Sequence, residues 1–221
     1  PAEVAARARR RGWQIFGLAL LFRLQSWAIS GGAWDQVLFK VDILNVMGVA
    51  MVAAAMLWGL GWDRPSRALL LAAAAVAAAM ITPIVRATPL LDALPAQVEW
   101  YLRAAPGLAM FPLFPWAGFL LAGGAVGLWL DGAGAVEDQR RTILALAVLG
   151  PALAIAGYAA SFLPTIYAET SFWTGSPTFF FLRLGILIGA VPLAYAWNAV
   201  FTGRSPLREF GVASLFVYWI H

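Results

Sequence analysis

The 221-residue chain is 62% hydrophobic and 12% charged, has no cysteine, and carries a formal net charge of +4. So few charged side chains, about half the share usual in a soluble domain, cannot cover a water-facing surface, so most of the chain must meet lipid. Missing cysteine excludes disulfides and thiolate metal sites, and arginines gathered at the ends of apolar stretches read as membrane topology rather than as a nucleic-acid footprint.

The chain opens on "PAEVAARARRRGWQ", a basic arm without an initiator Met. No small-residue cleavage site follows it, and the next apolar run is too long for a signal peptide. A bilayer core needs roughly 20 mostly apolar residues per helix. The first such run, residues 13–30, contains Arg23 and Gln25, and the outward loop "GGAWDQ" follows. The second, 43–61, opens at Asp42 with Asn45 one turn on and on roughly the same face. The third, 68–85, holds "LLLAAAAVAAAM", the signature of a closely packed or peripheral helix that carries no chemistry.

After it, "LLDALPAQVEWYLRAAP" is too polar to span and reads as a short amphipathic piece at the surface. The fourth run, 107–130, begins "PGLAMFPLFPWAGFLLAGG". Pro106, Pro112 and Pro115 each remove a backbone donor, so regular helix is expected only from about Pro115, with Trp116 on a cavity wall. Gly123 with Gly127 here, and Gly185 with Gly189 in the sixth run, have the four-residue spacing that lets helices approach closely in lipid. The fifth run covers 142–162, and "YAETSFWTGSP" then brings aromatics to the outward side, where an interfacial belt explains them equally well. The sixth, 178–201, contains Arg183. A seventh starts near 210 and is cut at His221, the one histidine present. The expected architecture is an all-α polytopic bundle of about seven spans, the last truncated, forming a single domain over 1–221 that is incomplete at both ends.

Basic residues fix the orientation. Arg7, Arg9, Arg10, Arg11, Arg64, Arg67, Arg140, Arg141, Arg204 and Arg208 fall on one side, and Lys40, Arg86 and Arg103 on the other. The excess marks the cytoplasmic side, so the N-terminal arm is expected inside. Ionisable groups at membrane depth cost about 2.5–3.5 kcal/mol each on insertion scales and usually face a bundle interior or a wet cavity. On this topology Arg23, Gln25, Asp42, Asn45, Arg183 and His221 all fall in the outer half of the bilayer and are expected to converge on one pocket. Plainer readings stand beside each: both arginines can snorkel to headgroups, Asp42 can cap its helix or pair with Arg23 or Arg183, and His221 can be a satisfied core histidine.

Four stretches, "FRLQSWAISGGAWDQVLFKVDILNVMG", "FPLFPWAGFLLAGGAVG", "SPTFFFLRLG" and "SPLREFGVASLFVYWIH", resemble the bacterial relatives of heparan-alpha-glucosaminide N-acetyltransferase, within the transmembrane acyltransferases. The resemblance implies a multi-pass enzyme of the bacterial inner membrane that takes an acyl group from a cytoplasmic donor, typically acetyl-CoA. It passes the group to a glycan or amino-sugar acceptor outside. The family's first helices, with an Arg-Gly motif and an acyl-carrying histidine, would precede residue 1, so this piece alone is expected to be inactive. The resemblance carries over His221 of the closing motif, with Asp42 and Asn45 in "KVDILNVMG". His221 and Asp42 are then the catalytic candidates, and Arg23, Gln25, Asn45, Trp116 and Arg183 the substrate-binding ones. No metal is called for. The expected partners are membrane lipid and the sugar acceptor, with no nucleic acid, and a homo-oligomer is left open. Two other classes compete: a transporter or channel, disfavoured by one-sided polar groups and the lack of internal repeats, and a non-catalytic bundle whose ion pairs fix packing.

Overall fold

The computed structural model describes residues 2–60, 63–134, 136–168 and 170–201, with 203, 209 and 211–214. Among them the chain forms α1 (Ala2–Ser30), α2 (Trp34–Leu38), α3 (Ile43–Trp58), α4 (Arg64–Ala87), a 3-10 turn (Pro89–Ala93), α5 (Ala96–Leu102), α6 (Leu113–Gly132), α7 (Val136–Ala160) and α8 (Pro177–Val200). The first six apolar runs are therefore all helical. Four helices, α4, α6, α7 and α8, are long and apolar enough to cross a membrane, which makes this a multi-pass membrane protein. α3, with 16 residues, is shorter than a typical span, and α1 is long but interrupts its apolar stretch with Arg23 and Gln25. The seventh run and His221 lie outside the described residues, apart from a few positions up to Ser214.

The helices pack in pairs, α1 along α3, α4 along α6 and α7 along α8, with α3 also meeting α6. Small residues set these distances. A methyl group at Gly150 of α7 would sit 2.5 Å from the Gly189 nitrogen and 2.8 Å from the Gly185 carbonyl of α8. One at Gly12 of α1 would sit 2.8 Å from the Gly48 carbonyl of α3. The alanine-rich α4 is the closely packed kind: Leu71, Ala75, Ala78 and Ala79 are buried, Leu71 and Ala75 in one core with Leu121, Ala122 and Leu128 of α6. The expected packing role of Gly185 and Gly189 holds. At Gly123 and Gly127 nothing among the described residues lies within 4 Å of where a side chain would be, so the described helices give them no such role. Gly118, beside Phe180 and the Ala75 carbonyl, is a close approach on α6, on a different face of the helix from Gly123 and Gly127.

Regular helix in α6 does start at Pro115: Phe114 keeps an extended backbone (φ −102°, ψ 122°). The polar stretch before it forms only the 3-10 turn and the seven-residue α5. One end of the bundle thereby gathers the start of α3, the end of α4, α5, the start of α6 and the start of α8.

The glycine contacts give a direct check. Gly150→Val should lower thermal stability in detergent, by about 1–3 kcal/mol for an overpacked contact, whereas Gly123→Ala should not lower it and should gain up to about 1 kcal/mol of helix propensity.

Candidate functional site

α3 begins with a reciprocal cap built from the sequence Asp42-Ile-Leu-Asn45. Asp42 Oδ1 accepts from the Leu44 and Asn45 backbone N–H groups at 3.0 and 3.4 Å, while Asn45 Oδ1 accepts from the Asp42 N–H at 3.2 Å. Three orphan donors at the helix start are thus satisfied. The second carboxylate oxygen, Oδ2, accepts from Arg23 Nη2 of α1 in an ion pair. Both partners are buried, with Arg23 8% and Asp42 7% exposed. The Asn45 side chain, 1% exposed, donates from Nδ2 to the Tyr101 hydroxyl of α5 at 3.2 Å. A chain of polar contacts therefore runs Arg23–Asp42–Asn45–Tyr101 and joins α1, α3 and α5.

This network ends at the wall of a cavity. Val41, next to Asp42, donates its N–H to the Leu108 carbonyl at 2.8 Å and pairs with Ala109. Trp100, Tyr101 and Trp116 pack on the Val41–Val46–Ala109 cluster. On the far side of Ala109 and Trp116 lies a space of about 450 Å³. Its floor is aromatic, with Phe111, Trp116, Phe119, Trp173 and Phe179, and its charged groups are Arg86 and Arg183. The Arg183 guanidinium carbon lies 4.1 Å from the Phe179 ring centroid and 5.7 Å from that of Trp116, within cation–π range. Trp116 itself meets Phe111 at 4.9 Å and Phe119 at 5.7 Å between ring centres.

The sequence candidates thus divide. Arg23, Asp42 and Asn45 come together, but they do not line the cavity behind Ala109 and Trp116 among the described residues; their polar atoms are spent on one another, on the helix start and on Tyr101. Asp42 both caps α3 and pairs with Arg23, so the two readings of it are compatible. Trp116 and Arg183 line the cavity, and Arg183 is exposed rather than paired with a carboxylate among the described residues. Gln25 is exposed and stands apart, since two positions along a helix turn a side chain about 200° away from Arg23. His221 lies outside the described residues. Three further residues carry the site. Arg86 was counted as a loop charge but ends α4 with its Nε buried and without an acceptor among the described residues. Tyr101 and Phe179 have no charge to draw attention to them. The one signal for Tyr101 was its place in a short aromatic piece, "EWYLR". No three carboxylate or imidazole groups converge as a metal site among the described residues.

A membrane bundle with a buried cap-and-ion-pair network behind an arginine-bearing aromatic cavity is the class of protein these features define. The family described as heparan-alpha-glucosaminide N-acetyltransferase, catalytic, matches residues 2–163. The chain belongs to this family of membrane acetyltransferases, whose general donor is acetyl-CoA. Arg23, Asp42, Asn45, Arg86, Tyr101 and Trp116 lie within the matched region; Arg183 and His221 lie beyond it. No curated protein and no solved structure matches the chain.

Removing one partner of a buried pair leaves an uncompensated charge. Asp42→Asn, which keeps the cap but loses the charge, should destabilise by about 3–5 kcal/mol, and adding Arg23→Met should recover part of the loss; thermal unfolding of the three variants reads this out. Tyr101 supplies a pH test. Burial raises its phenol above the ordinary value, with the Asp42 charge adding to the rise and the Asn45 hydrogen bond opposing it. A raised folded value means the contribution is whole below the unfolded phenol value and is lost as pH climbs through the folded one. Tyrosinate absorbance should show a late-titrating component that Tyr101→Phe removes.

Proposed function

We propose that the protein transfers an acyl group, acetyl in the first instance, from a CoA thioester presented at the cytoplasmic face to an amine or hydroxyl of a sugar acceptor in the cavity at the other face. The match to the catalytic region of the acetyltransferase family over residues 2–163 carries this reading. The chemistry of the cavity supports it. Aromatic faces such as Trp116 and Trp173 suit the apolar faces of sugar rings, and Arg86 and Arg183 supply positive charge for an anionic group of the acceptor.

In the transfer, the acceptor nitrogen or oxygen bonds to the acyl carbon and the carbon–sulfur bond breaks. The acceptor proton passes to a base and the departing thiolate is protonated in turn. A neutral imidazole suits that base near pH 7, and His221 is our candidate within this chain. Asp42 acts as a positioning residue: with both oxygens engaged it holds Arg23 and the start of α3 in place. Through Val41 and Ala109 it also fixes the cavity wall that carries Trp116. The basic arm of α1 sits at the cytoplasmic face in this reading, and the α4–α5 connection at the outer face of a bacterial inner membrane.

Radiolabelled acetyl-CoA supplied outside proteoliposomes that hold the full-length protein in either orientation, with amino sugars on both sides, tests the proposal. Label should appear covalently on the sugar, and His221→Ala should reduce the rate by about 10²–10⁴-fold, the range for a general base. Uptake of label without modification would mean transport instead, and no label on any amino sugar or glycan would overturn the reading.

A further inference from the structure

The cavity does not end at Trp116 and Arg183. Both residues, with Phe119, also line a second space of about 540 Å³ that runs between α3, α6 and α8. Its remaining wall is Ile43 and Met47 of α3, Leu120 of α6, and Ile186 and Leu187 of α8. Among the described residues the groove has no charged group besides Arg183, and Met47, Ile186 and Leu187 are exposed. The apolar groove and the chamber holding two guanidinium groups thus share the wall formed by Trp116, Phe119 and Arg183.

The charges in that chamber are not balanced. Among the described residues, neither space is lined by an Asp or Glu. Arg86 and Arg183 have no carboxylate partner among the described residues, and Arg86 keeps a buried Nε–H without an acceptor. The cleft at the opposite end differs: there Arg64 pairs with Asp131 at 2.9 Å and Arg141 with Glu137 at 3.5 Å. A guanidinium offers its donors in a planar fork that matches phosphate oxygens. Two such groups beside an apolar groove about one helical turn long call for a ligand that sets an anionic group next to hydrocarbon.

We propose that the cavity and groove form one binding site for an anionic membrane lipid, its phosphate between Arg86 and Arg183 and its chain along Ile43, Met47, Leu120 and Leu187. Resting on the acyl-transfer reading in this respect, the acceptor sugar is carried on such a lipid and enters sideways from the bilayer, with its ring over Trp116 and Trp173. Cation–π contact with Phe179 and Trp116 holds Arg183 where headgroup and chain meet.

Phosphatidylglycerol is the probe, with phosphatidylcholine and inorganic phosphate as controls, read by native mass spectrometry of the purified protein. One equivalent of phosphatidylglycerol should bind about tenfold more tightly than phosphatidylcholine, the minimum expected from charge-assisted hydrogen bonds. Arg86→Gln and Arg183→Gln should each reduce that preference. Leu187→Trp, at an exposed groove position, should weaken the long-chain lipid and leave a dihexanoyl analogue unaffected, which keeps the test alive if an arginine variant fails to fold. Equal binding of the two lipids, an unchanged preference in folded arginine variants, or inorganic phosphate binding as tightly as the lipid would overturn the site. Selective lipid binding in a protein that acetylates nothing would support the site and remove only its role as acceptor site.

Discussion

Asp42 has to serve two neighbours at once, and much of the site end follows from that requirement. A carboxylate with 7% exposure is tolerable only if its lone pairs are filled and its charge is met. One oxygen takes the first N–H groups of α3 and the other takes the Arg23 guanidinium. Sliding α1 along α3 by a turn would separate the pair and leave two charges buried alone. The Gly12–Gly48 contact allows the close approach of these helices, and the ion pair selects one register among those the small residues permit. The pair is better read as a device for specificity than as a large source of stability, since burying both charges costs much of what their attraction returns.

From that fixed point the rest of the end is assembled by backbone. Val41 binds the segment that carries Ala109, and Asn45 binds Tyr101. The proline-rich approach to α6 cannot satisfy itself as helix, and the bonds to Val41 give part of that irregular chain its partners. Trp116 then faces the cavity from the first turn of the regular part of α6. Polar groups held behind a wall and charged groups displayed in front of it are different jobs. In this protein Arg23, Asp42 and Asn45 do the first, while Arg86 and Arg183 do the second.

The positions of the long helices were legible because hydrocarbon thickness and helical rise leave little choice: runs of about 20 apolar residues become helices, although α1 starts well before its apolar run and the 16-residue α3 is shorter than a typical span. The start of regular helix at Pro115 was legible for a similar reason, since missing donors are a local property. The grouping of the polar residues was legible only in part. Depth along the membrane could be read from the chain, and it put Arg23, Asp42, Asn45 and Arg183 near one end. Depth carries no information on facing, so it groups Gln25 with residues on the other side of its helix, and four-residue spacing does not say which neighbour Gly123 and Gly127 face. Arg86 was overlooked because counting charges by connection treats the last turn of a helix as loop.

The sequence alone determined that this is a multi-pass helical membrane protein and where its long helices α1, α3, α4, α6, α7 and α8 lie, and for α3 it offered Asp42 as a cap beside an ion pair, because hydrophobic length and capping act within a few turns of one chain segment. Only the tertiary structure decided that Asp42 pairs with Arg23 rather than Arg183, that Arg183 instead lies over Phe179 and Trp116, and that Arg86 joins it. Those outcomes depend on which faces of different helices meet, and a contact between residues so far apart in the chain is set by packing geometry that no local pattern records.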